Sequence, residues 1–235
     1  MDHDVRYCAE AVRRLDPHRY LAALFAAEPA RTDLFALYAF NLELATVREQ
    51  VSEPLIGQIR LQWWRDTIGD IYRGATRETP VVRALKAAIE RHSVPRMLFD
   101  GLIDARERDV ADQPADLAEL IAYAEGTGGT LTILGVEMLG APEAAETARH
   151  AGTGWALTGL LRAGRVPPLL VDPVVAEARR RLADARARRA PRVALPALLQ
   201  LAVADAYLAR RREPSEDAPP CMIASRRARI TRRGS

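Results

Sequence analysis

Aromatic residues are scarce, at 6% of 235 positions, and cysteine occurs only twice. Cys8 and Cys221 stand near opposite ends with no CxxC spacing, and His3, His18, His92 and His150 are scattered. This pattern argues against a zinc site of ordinary ligand spacing and against a disulfide framework. No uncharged apolar run approaches the roughly 18 residues that a membrane-spanning helix needs. The opening MDHDVRYCAE has acids where a leader would have a basic and then an apolar stretch, so export is not expected and a cytoplasmic location is. Acid is missing from one further place: SRRARITRRGS, the last eleven residues, contains five arginines and no Asp or Glu.

What is present is helix-forming. Hydrophobic residues make up 49% of the chain, Ala is frequent, and β-branched residues seldom cluster. The expected fold class is all-α, as one domain over residues 1–212, followed by a disordered basic tail over 213–235. Because that tail has no aromatic residue on which bases could stack, nucleic acid is not an expected partner. If the tail binds anything, anionic lipid fits it better, in peripheral contact with the inner membrane.

Capping signals divide the chain. Asp16-Pro17 opens a helix that runs to about Ala27, and Thr32 or Asp33 caps the next, which ends before Ser52-Glu53-Pro54. Further helices are expected from Leu55 to Tyr72, Pro80 to His92, Val94 to Val110, Ala115 to Gly126, Glu143 to Arg162, Pro173 to Arg189 and Pro196 to Arg211. GTGGTL at 126–131 interrupts one pattern, and GRVPPLLVDP lies between two others as irregular chain. No strand precedes the glycines, so a phosphate-binding glycine loop does not fit, and the bland reading is a local break that lets helices approach closely.

Three stretches stand above this background. LYAFNLELATVREQV at 37–51 leads into VSEPLIGQIRLQWWRD, which places Arg60, Arg65 and Asp66 beside two tryptophans; AYAEGTGGTL occupies 122–131; GTGWALTGLLRA runs from 152 to 163. Alone, the first reads as core with a solvated rim, the second as a local break, and the third as tight helix packing through small residues. In this order they resemble the squalene/phytoene synthase family of head-to-head prenyl transferases. The resemblance implies an isoprenoid synthase helical bundle with two aspartate-rich motifs facing a cavity, where magnesium neutralises the leaving diphosphate.

The same resemblance shows departures. Ala45, Thr46 and Glu49 stand where the family's first motif has aspartates, and Ala163 and Pro167 where the second has them. The stretch from 37 to 66 resembles the synthase-like branch related to the mitochondrial complex I assembly factor. That implies a non-catalytic protein with no cofactor, a respiratory-complex partner, and a prenyl diphosphate or other lipid as ligand. Carried over from the family, Tyr38, Glu49, Arg60, Arg65, Asp109, Tyr123 and Arg162 are the expected cavity residues. The competing expectation is an active magnesium-dependent prenyl transferase of farnesyl or geranylgeranyl diphosphate, with Glu43, Glu49, Asp104 or Asp109 as replacement ligands. A third is a basic-tailed membrane-binding module.

Overall fold

A computed structural model describes residues 2–47, 54–109 and 116–210, in which every regular element is helical. The chain begins with a helix that was not expected, α1 (His3–Leu15), whose buried side is made of Cys8, Ala9 and Val12. Asp16 then serves two helices. Its backbone N–H bonds to Val12 O at the end of α1, and its side chain accepts from Arg19 N at 3.1 Å to start α2 (Pro17–Ala23). The following helix, α3 (Ala30–Ala45), is not capped by Thr32 or Asp33, since Thr32 Oγ1 donates back to Pro29 O and Asp33 is drawn inward. Ten of its sixteen residues are buried, so it is a central helix with Glu43 exposed rather than an amphipathic one with a wet back face.

Around α3 stand α4 (Pro54–Tyr72), α5 (Pro80–His92) and α6 (Arg96–Glu107). Phe40 of α3 meets Trp64 of α4 edge-on at 4.9 Å and Phe99 of α6 at 5.8 Å. Thr79 caps α5 by accepting from Val82 N, with Pro80 in the first turn, and Ser93 at φ 50° ends the helix. Two α5 side chains, Arg91 and His92, reach the buried Asp33 carboxylate, His92 Nε2 at 2.8 Å from Oδ2. Arg83 grips Asp4 with Nε and Nη2 at 2.6 and 2.7 Å and ties α5 to α1.

In the second half α7 (Leu117–Ala124), α9 (Ala145–Arg162) and α10 (Val171–Ala187) build a smaller core centred on Trp155, Leu157, Leu182 and Leu208, while α8 (Thr130–Met138) gives Leu131, Leu134 and Met138 to the larger one. GTGGT does not break the helix as expected. Residues Glu125–Gly129 form one π turn that joins α7 to α8. There the backbone of Gly128 lies against that of Gly152 in α9, so close that a Cβ built on Gly152 would fall 2.1 Å from Gly128 O. The GRVPPLL stretch is also more ordered than expected. Gly164, at φ 65°, closes α9 with two backbone bonds, Gly164 N to Leu161 O at 3.3 Å and Arg165 N to Leu160 O at 3.0 Å, and a short turn over Pro168–Leu170 leads into α10. The last expected helix is bent at Leu199 into α11 (Leu195–Leu198) and α12 (Gln200–Arg210). The basic tail lies outside the described residues, and no single helix among them is long and apolar enough to cross a membrane.

One ion-pair chain couples α10 to the π turn. Glu177 accepts from Arg180 and Arg181, and Arg181 Nη2 continues to Glu125 Oε1 at 2.5 Å. The Arg180 guanidinium, helped by Arg181 and opposed by burial, holds the Glu177 carboxyl down at about 2. Because the folded value lies below the ordinary one of about 4.3, the contribution to stability is present above pH about 4.3 and is lost as pH falls toward 2. Glu177→Gln should therefore lower stability at pH 7 and flatten the fall in melting temperature over that acid window. A variant whose fall between pH 4.5 and 2 matches that of the parent would refute this account.

Candidate functional site

The two cores leave a cavity of about 200 Å³ between them. Its wall comes from six helices or turns: Arg19 of α2, Asn41 of α3, Arg106 of α6, Tyr123 of α7, Thr127 and Gly128 of the π turn, and Trp155, Ala156, Gly159 and Leu160 of α9, with Leu131, Ala163 and Arg165 completing it. The space exists because the α9 face and the π turn present Gly and Ala where larger side chains would fill it.

A hydrogen-bonded network forms one side. Asp109, itself buried, accepts from Tyr123 OH at 2.8 Å and from Arg106 Nη1 at 3.1 Å, and Arg165 Nη2 lies 3.6 Å away. Arg106 Nη1 also reaches Tyr123 OH at 3.1 Å, and Nη2 donates to Asn41 Oδ1 at 3.1 Å. Burial raises the Tyr123 phenol above its ordinary value, with Asp109 adding to the rise and the arginines opposing it. Tyr123 is accordingly a neutral donor and Asp109 is saturated by its partners.

On the facing side Arg19 is 8% exposed, pairs with Asp16 at 2.5 Å, and lies over the rings of Tyr38 and Trp155 at 5.8 and 6.0 Å. The buried Nε atoms of both Arg19 and Arg106 have no hydrogen-bond partner. Among the described residues that line the cavity three are arginines and none is Asp or Glu.

The sequence model of the squalene/phytoene synthase family matches residues 12–166 of this chain, which spans every wall of the cavity. The chain belongs to the squalene/phytoene synthase family. The NADH dehydrogenase (ubiquinone) complex I assembly factor 6 of Bos taurus is 37% identical over 161 residues, covering 67% of this chain and 48% of that protein. The presqualene diphosphate synthase of Rhodopseudomonas palustris is 31% identical over 147 residues, covering 61% and 52%. The chain thus spans about half the length of the curated relatives it matches. In three dimensions a squalene synthase from Alicyclobacillus acidocaldarius superposes with a TM-score of 0.74 at 18% identity over 89% of this chain and 93% of that one. A dehydrosqualene synthase in complex with ligand gives 0.73 at 16% over 89% and 85%. The fold of this family member is therefore the all-α isoprenoid synthase bundle.

Within it the expected site residues separate. Tyr123 and Asp109 belong to the cavity network, and Ala163 lies on its rim. Tyr38 is buried beneath Arg19, its phenol pushed up to about 12 by burial, outside the cavity wall. Arg60 lies instead at a second hollow of about 280 Å³, with Glu43, Val47, Trp63 and Trp64. Arg65 turns away to clasp α6 through Asp104 and Glu107, each at 2.5 Å. Arg162 is exposed and lies 5.8 Å from the centre of the Tyr207 ring. Glu49 is outside the described residues. The reason for these displacements is angular, since side chains a few positions apart on one helix face different sides.

Arg19, Arg106 and Arg165 were not among the expected residues, although the first two left a readable trace. Arg19 shares a helical face with the buried Ala22, Ala23 and Ala26, and Arg106 shares one with Phe99, Leu102 and Ile103. A charge at a position where helical spacing calls for core is a signal of a buried polar site.

Proposed function

We propose that this protein uses the isoprenoid synthase bundle to bind a lipid-like ligand without transferring prenyl groups, and that it serves the assembly of respiratory complex I. One observation supports the first half above others: the cavity wall is cationic among the described residues. Magnesium is a hard cation that takes oxygen ligands, carboxylates foremost, and needs them converging. At the positions the family resemblance assigns to the motifs, Ala45 offers a methyl, Thr46 Oγ1 donates to Leu42 O, Ala163 offers a methyl, and Pro167 begins a turn. Asp109, a buried carboxylate bonded to the cavity wall, is engaged by Tyr123 and Arg106. No three Asp, Glu, His or Cys side chains among the described residues converge on one point. Of the motif positions only Glu49, outside the described residues, keeps a carboxylate, and one carboxylate is too few to hold magnesium against a diphosphate. The assembly role rests on the similarity to the assembly factor named above, whose matched region includes just under half of that protein.

The similarity to a presqualene diphosphate synthase keeps the opposite reading testable. With farnesyl and geranylgeranyl diphosphate, purified protein should release no diphosphate above background with or without magnesium, beside an active family enzyme as control. Magnesium-dependent release would reverse the proposal and make this a prenyl transferase with a substituted metal site.

A further inference from the structure

A groove of about 550 Å³ lies between the start of α9, the end of α10, α11 and α12, and it shares no wall residue with the cavity described above. Its floor is apolar, with Ala185 from α10, Leu195 and Leu198 from α11, and Leu201 from α12. We propose that this groove binds an acyl carboxylate, with Thr147 and Arg188 holding the carboxylate and the Ala and Leu side chains holding the hydrocarbon chain. The site is separate from the bundle's cavity and independent of the function assigned to that cavity.

Thr147 carries the first part of the argument. It lines the groove and is 4% exposed. A threonine inside a helix can return its hydroxyl to the carbonyl one turn back, and the buried Thr67, Thr127, Thr132, Thr153 and Thr158 all do so. The Thr147 hydroxyl has no partner among the described residues. A buried hydroxyl left this way is costly, and here it faces an open groove.

Charge carries the second. Arg186 and Asp205, both on the groove, are paired with each other, so their charges cancel. Arg188 is exposed, and its guanidinium bonds only a backbone carbonyl, Asp184 O, at 2.7 Å. Arg189 and Arg192, on the same short connection, are exposed and add to the positive potential.

The two donors stand at one end of the groove. Helices α9 and α10 run antiparallel, with Gly154 against Ala178 and Leu182, and His150 Nδ1 3.7 Å from Asp184 Oδ2. One turn further along, the same alignment brings Thr147 opposite Arg188. The guanidinium can fork onto a carboxylate while the hydroxyl donates to one of its oxygens.

The occupant follows from what the groove lacks. A peptide would bring backbone N–H and C=O groups for which the apolar floor has no partners. The chain's own last eleven residues carry five arginines and no acid, so like charge disfavours them. A hydrocarbon chain with one terminal anion meets both constraints, and the volume lies within the roughly 300–1,000 Å³ of sites for small molecules.

The test is isothermal titration of the full chain with decanoate, hexanoate and decanol, each below the concentration at which it aggregates. Decanoate should bind saturably at one site, hexanoate at least about tenfold more weakly for its four missing methylenes, and decanol more weakly than decanoate. Arg188→Gln should weaken decanoate by at least about tenfold, and Thr147→Val, which keeps the side-chain shape, by about threefold or more. Ala202→Trp, at an exposed position on the groove, should block it. Absence of decanoate binding, decanol binding as tightly as decanoate, or parent-like affinity in any of the three variants, each shown folded by circular dichroism, would overturn the site. Arg188 and Ala202 are exposed, so those two variants remain decisive if Thr147→Val fails to fold.

Discussion

Gly152→Ala should destabilise the protein by about 3 kcal/mol or more, toward the top of the range for overpacked cores. The added methyl carbon would stand 2.1 Å from Gly128 O, 2.5 Å from Thr132 Oγ1 and 2.6 Å from Gly128 C. Two of these three atoms are backbone inside a helical turn, and Thr132 Oγ1 is itself bonded to Gly128 O at 2.9 Å. No rotamer change relieves the contact, so α9 has to move away from the π turn. That motion would open the wall of the cavity as well as the second core, since Gly128 and Ala156 line the one and α9 forms the other. Against a total of about 5–15 kcal/mol, such a loss leaves a marginal fold. Gly159 gives the control on the same helix. A Cβ there meets nothing within 4 Å, so Gly159→Ala should be neutral or stabilising by up to about 1 kcal/mol through helix propensity. Urea denaturation followed by circular dichroism compares the three proteins. A Gly152→Ala midpoint equal to that of the parent would show that the helices are not packed as described.

Asp33→Ala should cost about 3 kcal/mol, the low end for removing one partner of a buried ion pair. The Asp33 side chain is 4% exposed, and it receives Arg91 on one oxygen and His92 on the other. Its removal leaves His92, only 17% exposed, facing a void in the core between α3 and α5. Arg91 can escape, because its side chain is 41% exposed, which keeps the cost from the upper end of the range. The same asymmetry predicts that Arg91→Ala costs only about 1 kcal/mol, since His92 still holds the carboxylate. The double variant should then resemble Asp33→Ala alone. If Arg91→Ala proved as damaging as Asp33→Ala, the arginine and not the histidine would be the partner that matters.

Both predictions concern residues whose role the sequence hid. Local signals were legible where chemistry acts over a few residues: Asp16 before Pro17 and the proline at Pro80 each mark a helix start that the structure shows. Asp33 looked like a cap because it opens a helix. Its partners lie 58 and 59 residues away, and no local rule can see them. Helix α1 was legible by period, with Cys8, Ala9 and Val12 on one face against charged residues on the other, but the first helix was expected only at the capping signal Asp16-Pro17. In the site, resemblance pointed to Tyr123 and Asp109, which the structure places in one network. Arg65 and Arg162 lie elsewhere, the first paired with Asp104 and Glu107 on α6 and the second against the Tyr207 ring on α12.

The π turn at Glu125–Gly129 fixes the rotational phase of everything after it. At 3.6 residues per turn, one residue more or less advances a helix by about 100°. With the turn in place, Leu131, Leu134 and Met138 face the core and Thr132 faces Gly128 and Gln200. Shortening the turn by a single residue would keep the helix straight and continuous while pointing those leucines toward a neighbouring side. The junction between the turn and α8 should therefore tolerate changes of residue type at Thr130, the first residue of α8 and only half-buried, far better than any change of length.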